Sequence, residues 1–263
     1  MSTVIFVPAR YASSRYPGKP LVKIRGKSDG DKTLIHRSWE AAKAVDGVDA
    51  VYILTDDARI EAEALSFGGE VIMTTGAARN GTERCAEAVD KLGFDPDIIV
   101  NLQGDSPLTP AWFVEDLIQA MRRDTAIMVA TPVLECDETT LDGFLADRKN
   151  GLVGGTTAVM NAHNDALYFS KEVLPYVAPD KPKDRQPRVY HHVGIYGYRP
   201  KALRTYLTAP EGELETAEGL EQLRFLEAGI PIKCVEVDGR GHEFWELNNP
   251  IDLARIENIL KRR

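Results

Sequence analysis

Three cationic side chains lie in one short loop near the start of the chain: Arg10, Arg15 and Lys19. The loop follows an apolar β-branched run at residues 4–7, which predicts a buried strand. Cations and backbone N–H groups at the carboxyl end of a strand suit a polyphosphate. If charge alone is considered, a solvated loop shaped by prolines is the simpler interpretation. Neither of the common glycine-rich phosphate-binding motifs is present in this loop.

Acidic side chains follow two other predicted strands. Asp105 comes after the apolar run at residues 98–102, and Asp56 and Asp57 come after the run at residues 51–54. A carboxylate such as Asp105 suits Mg²⁺, which proteins hold with one or two carboxylates plus phosphate oxygens and water. The alternative for Asp105 is a turn that caps the next helix, and residue type favours neither. For Asp56 and Asp57 capping is the simpler interpretation.

The elements that must position these side chains alternate along the first half of the chain. Strands are predicted at residues 4–7, 51–54, 70–73, 98–102 and 126–132, and helices at 34–45, 58–67, 81–92 and 110–122. This β-α-β-α order predicts a mostly parallel sheet covered on both faces. Because ligands of such sheets bind beyond the carboxyl ends of the strands, we expect the polar clusters to meet there.

The pattern changes after residue 135. Strands are predicted at residues 153–161, 167–169 and 191–198, then a helical region at 216–227, a strand at 232–237 and a helix at 250–261. Residues 178–188, rich in Pro, Lys and Asp, predict an exposed mobile loop. We therefore expect a single domain over residues 1–263, with a smaller β-rich lobe at about 135–200 that serves dimerisation or the acceptor.

Composition narrows the class of protein. The 263 residues are 43% hydrophobic and carry a net charge of −8, which argues against nucleic-acid binding. No apolar run approaches the roughly 20 residues of a membrane span, so we expect no membrane insertion. The three cysteines are widely spaced and fit neither a disulfide framework nor a zinc site. Because no leader pattern precedes the first strand, we expect a cytoplasmic protein.

Six short motifs occur in an order that resembles the CMP-Kdo synthetases, the 3-deoxy-manno-octulosonate (Kdo) cytidylyltransferases. They are the run at residues 8–21, Gly-Thr-Glu-Arg at 81–84, Val-Asn-Leu-Gln-Gly-Asp at 100–105, Leu-Tyr-Phe-Ser at 167–170, His-Val-Gly-Ile-Tyr at 192–196 and Leu-Glu-Gln-Leu-Arg at 220–224. One such motif is weak evidence, but six in order over essentially the whole chain are specific. The resemblance implies an α/β fold, a three-layer Rossmann-like nucleotidyltransferase with a predominantly parallel mixed sheet. It also implies a homodimer and a place in lipopolysaccharide biosynthesis.

The resemblance further implies a reaction, with Mg²⁺ as cofactor. The anomeric hydroxyl of an acidic 2-keto sugar attacks the α-phosphorus of CTP and pyrophosphate leaves, a transfer that depends on positioning and charge neutralisation. The implied site residues are Lys19, Arg10 and Asp105 in catalysis; Pro8, Ala9, Arg10, Ser13, Arg15, Lys19, Arg84 and Gln103 at CTP; His192, Tyr196, Glu218 and Gln222 at the sugar acid; and Asp105 and Asn248 at the metal. Without the resemblance, an ordinary structural histidine is the simpler interpretation of His192.

The chain departs from the family pattern mainly on the acceptor side. Asn248 stands where an Asp metal ligand is usual, and Ser106 where a Glu is usual. Asn keeps a carbonyl oxygen but removes a full charge, which weakens attraction to a metal. Glu246 could compensate, although we expect its side chain to point the other way along an extended segment.

Three hypotheses are consistent with the motifs and with these departures. The first is CMP transfer to Kdo or a close relative. The second keeps the CTP chemistry for a different acidic acceptor: an amino-substituted Kdo, another nonulosonic acid, or a small phosphonate or carboxylate. The third is a catalytically weakened nucleotide-binding protein, motivated by Asn248. Retention of Arg10, Arg15, Lys19 and Asp105 argues against the third, because binding alone needs no such metal site.

Overall fold

The computed structural model describes residues 1–12, 16–27, 30–153, 155–178, 186–243 and 245–262. Its strands are β1 (Thr3–Pro8), β2 (Lys23–Arg25), β3 (Asp31–Thr33), β4 (Ala50–Thr55), β5 (Glu70–Met73), β6 (Ile98–Asn101), β7 (Val129–Glu135), β8 (Thr157–Met160), β9 (Ala166–Ser170), β10 (Tyr190–His192), β11 (Tyr196–Tyr198) and β12 (Ile232–Val237). The α-helices are α1 (Leu34–Lys43), α2 (Ala58–Ser66), α3 (Gly81–Val89), α4 (Ala111–Arg123), α5 (Glu138–Lys149), α6 (Pro200–Thr208), α7 (Glu213–Glu218), α8 (Leu223–Glu227) and α9 (Asp252–Arg262). A 3₁₀ turn spans Lys19–Leu21.

One mixed sheet of ten strands organises the described part of the chain, in the order β5-β4-β1-β6-β11-β7-β10-β8-β9, with β12 also paired to β7. The half from β5 to β6 is parallel. β11 enters antiparallel between β6 and β7, and the strands beyond β7 are antiparallel apart from β12. The carboxyl ends of β1, β4, β5 and β6 therefore share one edge, where the sequence predicts the polar clusters.

The core lies on both faces of this sheet. Along β1, Ile5 and Val7 pack with α1 and α4, whereas Val4 and Phe6 pack on the opposite face with α3, α6 and α8. Because successive strand residues point to opposite faces, an uninterrupted apolar β1 is what a strand covered by helices on both sides requires. The α/β fold with a mixed sheet between helical layers is confirmed.

Predicted and observed elements agree closely in the first half and less well after residue 135. The prediction missed the β2–β3 hairpin and the helices α5 and α6. The predicted helix at 216–227 divides into α7 and α8 because Gly219, at φ 61°, ends α7 in the left-handed region. Of the predicted mobile loop, residues 179–185 lie outside the described part.

The strands of the predicted lobe, β8 to β10, continue the main sheet. The division into one domain with a β-rich lobe stays a prediction. Across the residues that the structure describes, no helix is both long enough and apolar enough to cross a membrane.

Candidate active site

The loops after β1 and β6 touch each other. The Leu102 N–H donates to the Phe6 carbonyl at 3.0 Å, which extends the β1–β6 ladder past the end of β6. A Cβ on Gly104 would lie 2.5 Å from the Pro8 carbonyl oxygen, so only glycine fits this approach. Ala9 is buried beside it. The resemblance's nucleotide residues Pro8 and Ala9 are therefore brought against the loop that carries Gln103 and Asp105.

Lys19 and Asp105 form an ion pair at this junction. Lys19 Nζ lies 2.6 Å from Asp105 Oδ2, and both side chains are largely shielded from solvent. Gly18, at φ 71°, makes the turn that starts the Lys19 3₁₀ segment. The next helix, α4, has Pro110 at its N-cap, five residues after Asp105, so Asp105 does not cap it. The Asp105 carboxylate therefore has a cation beside it, the Lys19 ammonium.

The other implied nucleotide residues differ in their surroundings. Arg10 is exposed, with Nη1 3.5 Å from the Arg79 carbonyl oxygen. Ser13 and Arg15 lie outside the described residues. The Gln103 side chain reaches within 3.4 Å of the Cβ position of Gly81, the first residue of α3.

Arg84 is buried and pairs with Asp56, with Nη1 3.3 Å from Oδ1. The capping interpretation of Asp56 was therefore wrong. It holds for Asp57, whose carboxylate accepts the Arg59 N–H at 2.9 Å at the start of α2. The interpretation failed for Asp56 because a buried guanidinium from α3 approaches from across the sheet edge.

Asn101 is a site candidate that the sequence reasoning did not single out. It is fully buried at the end of β6, and among the described residues neither Nδ2 nor Oδ1 has a hydrogen-bond partner. Its Nδ2 lies 3.2 Å from the Cβ position of Gly81, at the N-terminus of α3. Because buried polar groups are normally paired, this amide is poised for a ligand or a water molecule. The sequence signal was an Asn at the end of an otherwise apolar strand.

Among the implied sugar-acid residues, a β-bulge separates β10 from β11. His192 pairs with Val133 and Gly197 pairs with Ala130, so two extra residues are accommodated between them. Thr131 fills the bulge: its hydroxyl lies 2.7 Å from the Ile195 carbonyl oxygen and 3.0 Å from His192 Nε2. A hydroxyl has one proton to donate, so this geometry favours an Nε2–H imidazole that donates to Thr131. Burial lowers the pKa of His192 to about 3, which keeps it neutral at physiological pH.

The four implied sugar-acid residues share one wall. The Tyr196 hydroxyl donates to Gln222 Oε1 at 3.1 Å, and the rings of His192 and Tyr196 are 5.5 Å apart. The His192 ring in turn packs edge-on to Phe169 on β9. Gln222 is 2% exposed, and its Nε2 has no partner within the part of the chain that the structure describes. This buried amide donor therefore has capacity for a polar ligand.

Glu218 joins this wall through β9. Its carboxylate accepts the Ser170 hydroxyl at 2.6 Å and the Lys171 N–H at 3.0 Å. These bonds fasten Glu218 to the end of β9, the strand whose Phe169 packs against His192.

The segment at residues 245–248 joins the two halves. The Leu247 N–H donates to the Asp105 carbonyl at 2.9 Å. Glu246 accepts from Asn248 Nδ2 at 3.2 Å, lies close to the Ser106 hydroxyl, and has Oε1 3.5 Å from the Cβ position of Gly194 in the bulge. Our expectation that Glu246 points away was wrong, because residues two apart on an extended segment share a face.

Burial raises the pKa of Glu246 to about 7, and the nearby charge of Asp105 adds to the rise. The pair of like charges fits a hard cation, since carboxylate and amide oxygens are its preferred ligands. The described residues contain no group of three or more His, Cys, Asp or Glu arranged for a metal. Two carboxylates completed by phosphate oxygens match the donor set that Mg²⁺ uses.

A buried ion network links the two sides. Arg224 donates to both oxygens of Glu215, at 2.6 and 2.7 Å, and to Glu83 at 3.1 Å. Its guanidinium also stacks over the Tyr206 ring, 4.1 Å from the centroid. Glu83 in turn binds Arg79 at the N-terminus of α3. The network fastens α7 and α8, which position Glu218 and Gln222, to the helix that begins beside Gln103.

Comparison with known proteins identifies the class. A sequence profile described as cytidylyltransferase matches residues 4–234. The chain therefore belongs to the cytidylyltransferase family and is a nucleotidyltransferase. Within that family its relatives include the 3-deoxy-manno-octulosonate cytidylyltransferase of Maricaulis maris, 43% identical over 260 residues, 99% of this chain and 97% of the relative.

Two further relatives bear on the acceptor and on the fold. The 8-amino-3,8-dideoxy-manno-octulosonate cytidylyltransferase of Shewanella amazonensis is 38% identical over 264 residues, 99% of both chains. The solved structure of a CMP:2-keto-3-deoxy-manno-octonic acid synthetase complexed with CTP has a TM-score of 0.85 at 37% identity, covering 100% of this chain and 99% of that one. The resemblance found in the sequence motifs is confirmed.

Proposed function

We propose that this chain transfers CMP from CTP to Kdo or a close relative and releases pyrophosphate. The observation that carries the proposal is the Lys19–Asp105 pair at the joined ends of β1 and β6, facing the Glu246 segment. The pair lies at the sheet edge where the ligand is expected. This chain shares its fold over its full length with a synthetase solved with CTP.

The geometry suggests how the residues divide the work. Lys19, with Arg10 and Arg15, offers positive charge to the triphosphate, and Gln103, Arg84 and the Pro8–Ala9 turn line the cytidine. Gln222, whose Nε2 has no partner among the described residues, and Glu218 receive the sugar acid. His192 is neutral, and its role is to hold the wall in position through its hydrogen bond to Thr131 rather than to exchange protons. Such a transfer gains its rate from alignment and charge neutralisation.

Nucleotidyl transfer of this kind generally uses a divalent metal, and we propose Mg²⁺ held by Asp105 with help from the 245–248 segment. When bound, the ion neutralises phosphate charge in the transition state. Asn248 was the implied second ligand; its Nδ2 donates to Glu246, which leaves Oδ1 as its possible metal donor.

The test is pyrophosphate release from CTP across a panel of acidic sugars. We expect turnover with Kdo or with its 8-amino derivative, which the Shewanella relative favours as the second candidate. Activity restricted to an unrelated acid or phosphonate would refute Kdo-type acceptors. CTP binding without pyrophosphate release for any acceptor would instead support the weakened nucleotide-binding protein.

We further propose a cytoplasmic homodimer that acts in lipopolysaccharide biosynthesis. Large apolar side chains are exposed in the predicted lobe, among them Leu152 at 58%, Leu167 at 60% and Tyr176 at 77%. Exposed apolar surface of this kind is typical of subunit contacts. A monomer by light scattering at micromolar concentration would contradict the dimer.

A further inference from the structure

The residues that depart from the family pattern contact one another. By the resemblance Ser106 and Asn248 stand where carboxylates are usual; the Asn248 Nδ2 donates to the Glu246 carboxylate at 3.2 Å, and the Ser106 hydroxyl lies close to that carboxylate. The three positions come from two loops that are held together by the Leu247 N–H bond to the Asp105 carbonyl. The carboxylates absent at positions 106 and 248 are thus replaced by one at position 246, close to both.

Glu246 also lies between the two halves of the site. Its backbone neighbour Leu247 touches Asp105, which pairs with Lys19 on the nucleotide side. Its Oε1 lies 3.5 Å from the Cβ position of Gly194, between His192 and Tyr196. The carboxylate therefore lies between the two groups of implied site residues, near the Lys19 ammonium.

We infer that Glu246, not Asn248, supplies the second carboxylate to the divalent metal, with Ser106 and Asn248 orienting it. The inference rests on the proposed function. Metal ligands are usually hydrogen-bonded by neighbours that fix their orientation. An amide donor at 248 and a hydroxyl at 106 suit that task, whereas carboxylates at those positions would repel Glu246.

The experiment measures Mn²⁺ binding to the protein–CTP complex by electron paramagnetic resonance, with CTP alone as the baseline. Glu246→Gln is nearly isosteric and can still accept from Asn248, so the fold should hold. We expect it to weaken Mn²⁺ binding by roughly 10- to 100-fold while CTP affinity without metal changes little. Glu243→Gln, which removes a charge that is nearby in the sequence and pairs with Arg262, should leave Mn²⁺ binding unchanged.

The double variant Glu246→Gln/Asn248→Asp tests whether the carboxylate coordinates the metal or only supports the local structure. It returns one carboxylate to the same face of the segment, and we expect it to recover most of the lost Mn²⁺ affinity. A loss below threefold in Glu246→Gln, or no recovery in the double variant, would overturn the inference.

Turnover distinguishes this failure from that of the proposed function. If the wild type releases pyrophosphate with Kdo-type sugars while Glu246→Gln binds Mn²⁺ normally, only the ligand assignment falls. If Mn²⁺ binding depends on Glu246 but no such sugar is used, the ligand assignment stands and the acceptor proposal falls.

Discussion

Removing the buried guanidinium of Arg224 should destabilise the protein far more than removing an exposed one. Arg224 makes three contacts of 2.6 to 3.1 Å with Glu215 and Glu83 and is 2% exposed. In Arg224→Met, Glu83 keeps Arg79, so Glu215 becomes the uncompensated buried charge. Breaking a buried pair from one side costs about 3–5 kcal/mol. At roughly 2–4 °C per kcal/mol for a chain of this size, Tm should fall by about 6–20 °C.

The assay is calorimetric unfolding at pH 7, with Arg204→Met as the matched control. Arg204 pairs with Asp95 at 2.6 Å but is 49% exposed, and such pairs contribute about 1 kcal/mol or less. Arg224→Met/Glu215→Gln removes both charges and should regain at least half of the lost stability.

The network also predicts a kinetic effect, because α7 and α8 carry Glu218 and Gln222. KM for the acidic sugar should rise more than KM for CTP in Arg224→Met. A loss of stability in Arg224→Met no larger than in Arg204→Met, or a double variant no more stable than the single one, would contradict the predicted cost of the buried charge.

Three shorter predictions concern the site and its surroundings. Asp105→Ala should abolish pyrophosphate release with Tm nearly unchanged, since the residue lies in a loop; wild-type turnover would remove it from the mechanism. Burial raises the pKa of Glu221 from 4.5 to about 7, so the native state holds a proton that the unfolded chain has lost, and stability falls as pH rises through that window. Glu221→Gln should therefore raise Tm at pH 8 and change little at pH 4; equal shifts at both would contradict this. Gly104→Ala, with its Cβ 2.5 Å from the Pro8 carbonyl oxygen, should cost about 1–3 kcal/mol and lower turnover, whereas Gly143→Ala, which has open space, should do neither.

Local signals predicted the parallel half of the sheet well. β6 is buried along its whole length, and its apolar run in the sequence leaves little alternative to a strand. α5 escaped prediction because Phe144 is its one buried residue, so the sequence carries no apolar stripe. β2 and β3 are short and polar and form a small separate sheet.

The meeting of polar loops at one sheet edge was predictable from the strand order: Lys19 and Asp105 lie in the loops after β1 and β6 and contact each other. The site was not predictable where contacts join distant segments. Nothing local to Asp56 indicates Arg84, and nothing near Asp105 indicates Leu247. The error about Glu246 was of another kind, because the two-residue periodicity of an extended segment already placed it on the face of Asn248.

The bond between Leu247 and Asp105 also has a consequence for the order of synthesis. The loops after β1 and β6 are made early, and domains fold while the chain is still emerging. The segment at residues 245–248 is made much later, and it alone brings Glu246 to the junction. A nascent chain can thus form the junction of the β1 and β6 loops well before Glu246 reaches it, so nucleotide binding and turnover should arise at different chain lengths.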